Sequence, residues 1–457
     1  MQKTVVGLWT CICVLFLFIF GLVPAFSNDL EHTLNEVLLH LNRRDFAAAL
    51  RLFETLNRED AEKSEIRIMQ ASILISAGRT ADARRIANNI LAAEPENTDA
   101  LMILADAASF GNNARERRTF LDRVIRINPA HTRALIDIAN INFRDGNLRT
   151  AATFFDRALA AEPDNGEALV GRGLTHRFNG EQREAEWLFN RALNLYPWWS
   201  KPFHERARLY KGAGFLEDAL IDMNVAKELD PGNYWIVLDR GLILFQMNLK
   251  QEALEELSNA IAIDPNNFYA YVYTAGIKDE FGDYEGAIRD YTAITRLKPD
   301  YYFAFEGLGV LKMREKKWAE ARDVFLEAYK HAPREYNYAL LAALNWMRAG
   351  RATDPRQFLA QVLRAAPRDS IEFSMLRLYN DLSGDLDVIV KIENEKDNLL
   401  KSRMLFYLAS YYDVRGNTAL ANRFYLMVQE IDAASLIEWR LNEWVLAERG
   451  IGLRGGE

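Results

Sequence analysis

Residues 132–165 read TRALIDIANINFRDGNLRTAATFFDRALAAEPDN and hold one copy of a pattern that returns every 34 residues. Proline marks the period most clearly. Nine of the twelve prolines stand 34 residues apart: Pro95, Pro129, Pro163, Pro197, Pro231, Pro265, Pro299, Pro333 and Pro367. A fixed period of this length is typical of proteins built from repeated structural units. With proline at position 32 of the unit, the register predicts ten repeats within residues 28–369.

Four other positions of the unit keep one kind of residue in most repeats. In the quoted repeat, positions 8 and 20 are the small residues Ala139 and Ala151, position 15 is Gly146, and position 24 is the large apolar Phe155. Apolar residues three and four apart place one apolar stripe on each of two helices. Glycine ends the first helix in a left-handed turn, and proline prevents the second from continuing. Each repeat is therefore predicted to be a helix hairpin that stacks on its neighbours.

These residues resemble the tetratricopeptide repeat family, and the resemblance runs through residues 30–369 in unbroken register. It implies an all-α fold, a right-handed superhelical solenoid of about twelve helix-turn-helix repeats. In this family the first helices of the hairpins line a concave groove that binds peptides or other proteins. The resemblance also implies that the protein is not an enzyme.

The register changes after Pro367. Residues 370–435 are expected to contain one degenerate repeat, two residues short, and one further repeat that returns to the pattern. Ser435 and Glu438 then have the spacing of a capping box, which predicts a last helix ending near Arg449. Residues 436–457 are accordingly interpreted as a helix and tail that cap the stack.

The first 27 residues differ from the rest of the chain. Lys3 is their single charge, and the apolar run over residues 4–24 is followed by Ala-Phe-Ser at residues 25–27. This is the layout of a secretory signal peptide, but about 20 apolar residues also suffice for an uncleaved membrane anchor. Both interpretations predict an exported protein of the periplasm or cell envelope, with membrane contact only through residues 4–24 if these are kept.

Cysteine usage and charge narrow the function further. Cys11 and Cys13 are the only cysteines, and both lie in the N-terminal segment, so the remainder has none for a disulfide or a thiolate metal site. The whole chain carries a net charge of −8, and loss of residues 1–27 would make it −9. Nucleic-acid binders usually show the opposite balance, so no nucleic-acid partner is expected.

No motif for catalysis or for a cofactor stands out. His204-Glu205-x-x-Arg208 imitates half of a zinc-protease helix, but arginine occupies the place of the second ligand. The chain has neither a phosphate-binding glycine loop nor a G-x-S-x-G elbow. The sequence therefore predicts no catalytic residue, no cofactor and no bound metal.

The resemblance also indicates which side chains face the groove, namely positions 2, 5, 9, 12 and 13 of each first helix. In residues 132–233 these positions are mainly basic or polar: Arg133, Asn140, Arg144, Arg177, Lys201, His204, Arg208 and Lys211. Basic groups on one face of an acidic protein attract an acidic segment or a chain carboxylate. The alternative is an ordinary solvated face whose charges are neutralised by nearby acids.

A second stretch of the predicted groove is aromatic. Position 2 is Trp235, Tyr269 and Phe303 in three successive repeats. Such rings would either hold apolar anchors of a bound peptide or pack one repeat against the next.

The sequence thus predicts a non-catalytic scaffold or adaptor of the bacterial cell envelope. Its expected partner is a segment of another envelope protein, acidic where it meets the basic stretch. An extracytoplasmic ligand-binding or transporter-associated component stays open as the alternative. Self-association through an end of the array is compatible with both.

Overall fold

The computed structural model describes residues 28–351 and 353–451. Over these ranges the chain forms α-helices and one short 3-10 helix, and no β-strand. The all-α prediction is therefore confirmed. The predicted signal peptide or anchor lies outside the described residues. No helix in the described ranges is both long and apolar enough to cross a membrane.

The 3-10 helix spans Phe53–Thr55. The α-helices, numbered in chain order, are α1 (Asn28–Asn42), α2 (Phe46–Leu52), α3 (Arg58–Ala61), α4 (Ser64–Ser76), α5 (Thr80–Ala93), α6 (Thr98–Phe110), α7 (Ala114–Ile127), α8 (Thr132–Arg144), α9 (Leu148–Ala161), α10 (Gly166–Phe178), α11 (Gln182–Leu195), α12 (Ser200–Ala213), α13 (Leu216–Leu229), α14 (Tyr234–Gln246), α15 (Lys250–Ile263), α16 (Phe268–Glu280), α17 (Tyr284–Leu297), α18 (Phe303–Arg314), α19 (Trp318–His331), α20 (Tyr336–Arg348), α21 (Arg356–Ala365), α22 (Ile371–Asp381), α23 (Asp385–Asn394), α24 (Asn398–Val414), α25 (Thr418–Gln429) and α26 (Ile437–Glu448).

Helix ends follow from local chemistry. The second helices of the repeats end two residues before the periodic proline, as α5 does before Pro95, because the residue preceding proline is disfavoured in the α conformation. The next first helix often starts with an asparagine cap, which the sequence analysis did not single out. Asn97 and Asn165 accept hydrogen bonds from the backbone N–H groups of Ala100 and Ala168 at 2.9 and 3.1 Å.

The turns inside the hairpins are left-handed. Gly146, Gly180 and Gly214 have φ values of 78°, 80° and 85°. Asn248 and Lys316 take the same conformation, with φ of 61° and 58°, in repeats that lack the glycine. The turn geometry is therefore imposed by the packing of the hairpin, and glycine only lowers the conformational free energy that a positive φ costs.

Small and large positions pack tightly against each other. A Cβ added to Gly173, at position 8, would come within 2.6 Å of the ring of Phe189, at position 24 of the same repeat. A Cβ on Gly171 would come within 2.2 Å of the Phe155 ring from the preceding repeat. The large residue at position 24 thus lies between its own hairpin and the next one, as the sequence pattern predicts.

The chain divides into two compact units, the first ending at Leu229 and the second beginning at Asp230. In unit 1 the first helices α8, α10 and α12 contact one another in turn, and several modest apolar clusters follow one another along the stack. In unit 2 one large core cluster extends from Phe305 to Leu446 and joins α18 to α26.

Two details differ from the sequence predictions. The second helix of the first repeat is broken into α2, the 3-10 helix and α3. At the other end, α26 begins after Leu436 without any side-chain cap, so the capping box of Ser435 and Glu438 is wrong. Glu438 is instead fully buried and accepts a hydrogen bond from the Tyr407 hydroxyl at 2.7 Å. Burial of this carboxylate in a tertiary contact outweighs its use as a local cap.

Two glycines at the end of α12 allow the free-energy cost of the left-handed turn to be measured without a change in packing. Gly214 is left-handed, whereas Gly212 lies in the helix, and an added Cβ would meet nothing within 4 Å at either position. We expect Gly214→Ala to lower the free energy of unfolding by about 1–2 kcal/mol. Gly212→Ala should raise it by up to about 1 kcal/mol. Urea unfolding followed by circular dichroism measures both, and an equal effect of the two substitutions would contradict the assignment.

Candidate functional site

The predicted basic residues lie on the first helices α8, α10 and α12 of unit 1. Asn140 and Arg144 stand at the exposed end of α8, where the Arg144 Nε donates to the backbone oxygen of Asn140 at 3.3 Å. Lys201 is exposed at the start of α12, with its Nζ 5.8 Å from the ring centre of Trp199. We call Asn140, Arg144, Arg177, Lys201 and Arg208 the basic surface.

Glu205 lies close to two arginines of the basic surface. Its side chain is 10% exposed, and its Oε2 lies 3.4 Å from Arg177 and 3.7 Å from Arg208. The Arg177 guanidinium also covers the ring of Phe178 at 5.0 Å. One nearly buried carboxylate therefore lies within ion-pair distance of two arginines of neighbouring hairpins. In the sequence, Glu205 stands out only as part of an incomplete zinc motif, although its position directly after His204 on a first helix is visible.

Other predicted residues are drawn into the structure of the stack. Arg133 of α8 pairs with Asp106 of α6 at 2.7 Å. Burial raises the pKa of Asp106, and the nearby Arg133 charge opposes that rise. His204 is buried, and Lys211 is partly buried in the last turn of α12. The structure thus leaves Asn140, Arg144 and Lys201 as the most exposed of the predicted residues in unit 1.

Arg206, another arginine of α12, contacts a different part of the stack. Arg206 of α12 makes two hydrogen bonds to the buried carboxylate of Asp222, at 2.7 and 2.6 Å. The hydrogen bond to Asp222 raises the pKa of Arg206. Arg206 points to the second helix of its own hairpin, which explains why its position does not belong to the groove set.

The aromatic residues of unit 2 form a continuous series of ring contacts. Trp235 of α14 meets Tyr269 of α16 with ring centres 6.1 Å apart. Tyr269 and Phe303 each stack on the preceding ring of their own repeat at 4.4 Å, and they remain 48% and 55% exposed. The rings therefore pack between repeats, which is one of the two alternatives that the sequence left open, and Tyr269 and Phe303 also keep apolar surface exposed to solvent.

The described residues contain no group of three or more histidine, cysteine or acidic side chains arranged to hold a metal ion. An all-α stack of hairpins that presents exposed polar and aromatic side chains on its first helices defines the class of helical-repeat binding proteins.

Comparison with known families gives the more specific identity. Tetratricopeptide repeat models match residues 40–107, 136–197 and 278–333. The chain is a tetratricopeptide repeat protein. Proteins of this family are generally non-catalytic scaffolds for protein–protein interactions. No curated protein sequence matches the chain significantly.

Several solved structures share the repeat fold at low identity. YrrB, described as a TPR protein with an unusual peptide-binding site, is 20% identical over 41% of this chain and 96% of its own, with a TM-score of 0.33. PilF from Pseudomonas aeruginosa is 17% identical over 54% and 96%, with a TM-score of 0.39. The Cut9–Hcn1 assembly of the APC/C is 15% identical over 66% and 59%, with a TM-score of 0.46. Likeness at this level does not extend to function.

Arg177 pairs with Glu205, whereas Arg144 bonds only locally, so the two arginines are expected to contribute differently to the stability of the fold. Arg177→Ala should lower the free energy of unfolding by about 1–3 kcal/mol, because it leaves a buried carboxylate with less compensation. Arg144→Ala should change it by less than about 0.5 kcal/mol, since Arg144 is exposed and bonds only locally. Thermal and urea unfolding of the two variants provide the test, and equal losses would show that Glu205 does not hold Arg177.

Proposed function

We propose that the protein is an exported, non-catalytic adaptor of the bacterial cell envelope that holds an acidic segment of another envelope protein on its basic surface. The observation that carries this proposal is the placement of Arg144, Lys201 and Asn140 on α8 and α12. These exposed groups flank α10, whose Arg177 is already held by Glu205. Cationic and amide groups are thereby presented on the first helices of three successive hairpins.

Pre-organisation supports binding at this surface. Arg177 and Arg208 share a buried carboxylate, so their guanidinium groups lose less rotational freedom when a ligand arrives. The planar guanidinium suits a carboxylate ligand in two-point contact. An extended segment rich in Asp and Glu, or a chain terminus, has the matching chemistry.

Because the whole chain is acidic, binding of an acidic partner requires positive charges that lie close together on the surface. The chain is acidic, with a net charge of −8, so an acidic partner is repelled at long range and attracted only close to the basic surface. At physiological salt the screening length is about 8 Å, which confines the attraction to groups that the segment approaches directly. Affinity is therefore expected to fall as salt increases.

The aromatic series of unit 2, Trp235, Tyr269 and Phe303, is proposed as a separate apolar contact, in which Tyr269 and Phe303 are about half exposed. Half-exposed rings fixed by neighbouring rings bind apolar side chains with little loss of side-chain entropy.

The basic surface can be tested by crosslinking in the native cell. A photocrosslinking amino acid at the exposed Asn140 should capture a partner whose crosslinked peptide is acidic. Arg144→Glu with Lys201→Glu should remove that product, because both exposed cations become acids, whereas Arg177 and Arg208 are left to hold Glu205.

The matched control reverses two exposed arginines of second helices, Arg149→Glu with Arg183→Glu. This variant has the same net charge as the test variant and should keep the crosslinked product. A product that survives the Arg144 and Lys201 reversals in a folded protein refutes the basic surface as the binding site.

Export is proposed from the N-terminal segment and can be tested by itself. The full-length protein should be recovered from the periplasmic or membrane fraction of the native cell, and a chain lacking residues 2–27 should stay in the cytoplasm. Mass spectrometry of the recovered protein distinguishes cleavage after residue 27 from a retained anchor. Recovery of the full-length protein in the cytoplasm would contradict the proposal.

A further inference from the structure

The last helix of unit 2, α26, has two different faces. One face carries Leu441, Asn442 and Leu446, all buried against α24 and α25. The Asn442 side chain donates to the backbone oxygen of Tyr425 at 3.1 Å. Apolar burial of this kind keeps the helix in place against α24 and α25.

The other face carries Arg440, Trp444 and Glu448, spaced four residues apart on one line of the helix. Arg440 makes two hydrogen bonds to Asp279 of α16, at 2.7 and 2.5 Å, across a sequence separation of 161 residues. Glu448 lies 3.4 Å from Lys316, which follows α18. An end cap does not require any of these contacts.

Trp444 completes the contact through its ring. Arg440 lies 4.5 Å from the Trp444 ring centre, and Arg314 of α18 lies 5.4 Å from it. Arg314 also covers the ring of Tyr284 at 3.6 Å, and Tyr284 meets Trp444 edge-on at 6.3 Å. Asp279, Tyr284 and Arg314 therefore form a receiving surface, which we call the clasp surface, for an arginine and a tryptophan one helical turn apart.

Position in the repeat supports a binding role for the clasp surface. Asp279 and Arg314 occupy positions 12 and 13 of their repeats, two of the positions that face the ligand groove in this family. Within unit 2, the chain's own α26 thus lies where a bound helix would lie.

We propose that the clasp surface is a docking site for a partner helix that presents arginine four residues before tryptophan, and that α26 is its built-in competitor. The proposal concerns unit 2 alone and is independent of the basic surface. Charge complementarity selects the partner: Asp279 is 9% exposed, so uncovering it without a replacement cation leaves a nearly buried carboxylate uncompensated. The surface is consequently either closed by α26 or filled by a partner helix of the same kind.

The probe for this site is a fluorescein-labelled peptide of residues 435–451, which contains the chain's own arginine and tryptophan. Fluorescence anisotropy measures its binding to the full-length protein. The variant Arg440→Ala with Leu446→Ala weakens the contact of α26 with the clasp surface and its apolar contact with α24 and α25, so that α26 can leave the site. We expect it to bind the peptide at least tenfold more tightly than the wild type does.

Two controls locate the binding. Adding Asp279→Asn to the double variant should abolish the gain, and so should replacing the arginine of the peptide by alanine. Lys316→Ala with Glu448→Ala removes only the exposed pair, whose side chains are each 62% exposed, and should bind no more than threefold tighter than the wild type.

Circular dichroism and the unfolding midpoint verify that each variant is folded. If the double variant does not fold, the single variant Arg440→Ala takes its place and should show the same gain to a smaller extent. A folded variant that binds the peptide no better than the wild type, or a gain that persists with Asp279→Asn, overturns the proposal.

Discussion

The structure depends on the close approach of two helices within each hairpin. At Gly173 a single added methyl group would meet the Phe189 ring at 2.6 Å, and the same holds for Gly309 against Phe325. This contact requires a small residue on one helix and a large one on the other. It also sets the distance between helices, which leaves the intervening turn in a left-handed conformation even at Lys316. Repetition of this constraint every 34 residues produces the stack.

Charge is used in three distinct ways on this framework. Arg206 and Asp222 form a two-point pair that ties the helices of one hairpin together. Glu205 pairs with Arg177 and Arg208, two arginines of neighbouring hairpins that belong to the proposed binding surface. Asp279 receives Arg440 across 161 residues and so brings the end of the chain onto earlier repeats of unit 2. The burial and the partners of each carboxylate, and not whether it is Asp or Glu, decide which of these roles it has.

The candidate site was only partly visible in the sequence. The register correctly assigned the basic residues to first helices, because helix periodicity and the proline spacing are local properties. It did not reveal that Asp106 neutralises Arg133, or that Glu205 serves two arginines. The Arg133–Asp106 and Arg177–Glu205 pairs join different repeats, and the spacing of residues along one repeat does not show which side chains of two repeats meet. For the same reason the capping box at Ser435 failed: Glu438 had a stronger tertiary partner in Tyr407.

The sequence by itself determined the helix hairpin, its period, its turns and its membership of the tetratricopeptide repeat family. These features rest on contacts between residues close in the chain, where small, large, glycine and proline positions act locally. Only the tertiary structure decided which cations pair with carboxylates inside the stack, which aromatic rings stay exposed, and where α26 lies. Those outcomes depend on distances between residues far apart in the chain, such as Asp279 and Arg440. A linear pattern does not encode such distances, because small rotations between successive repeats accumulate along the stack.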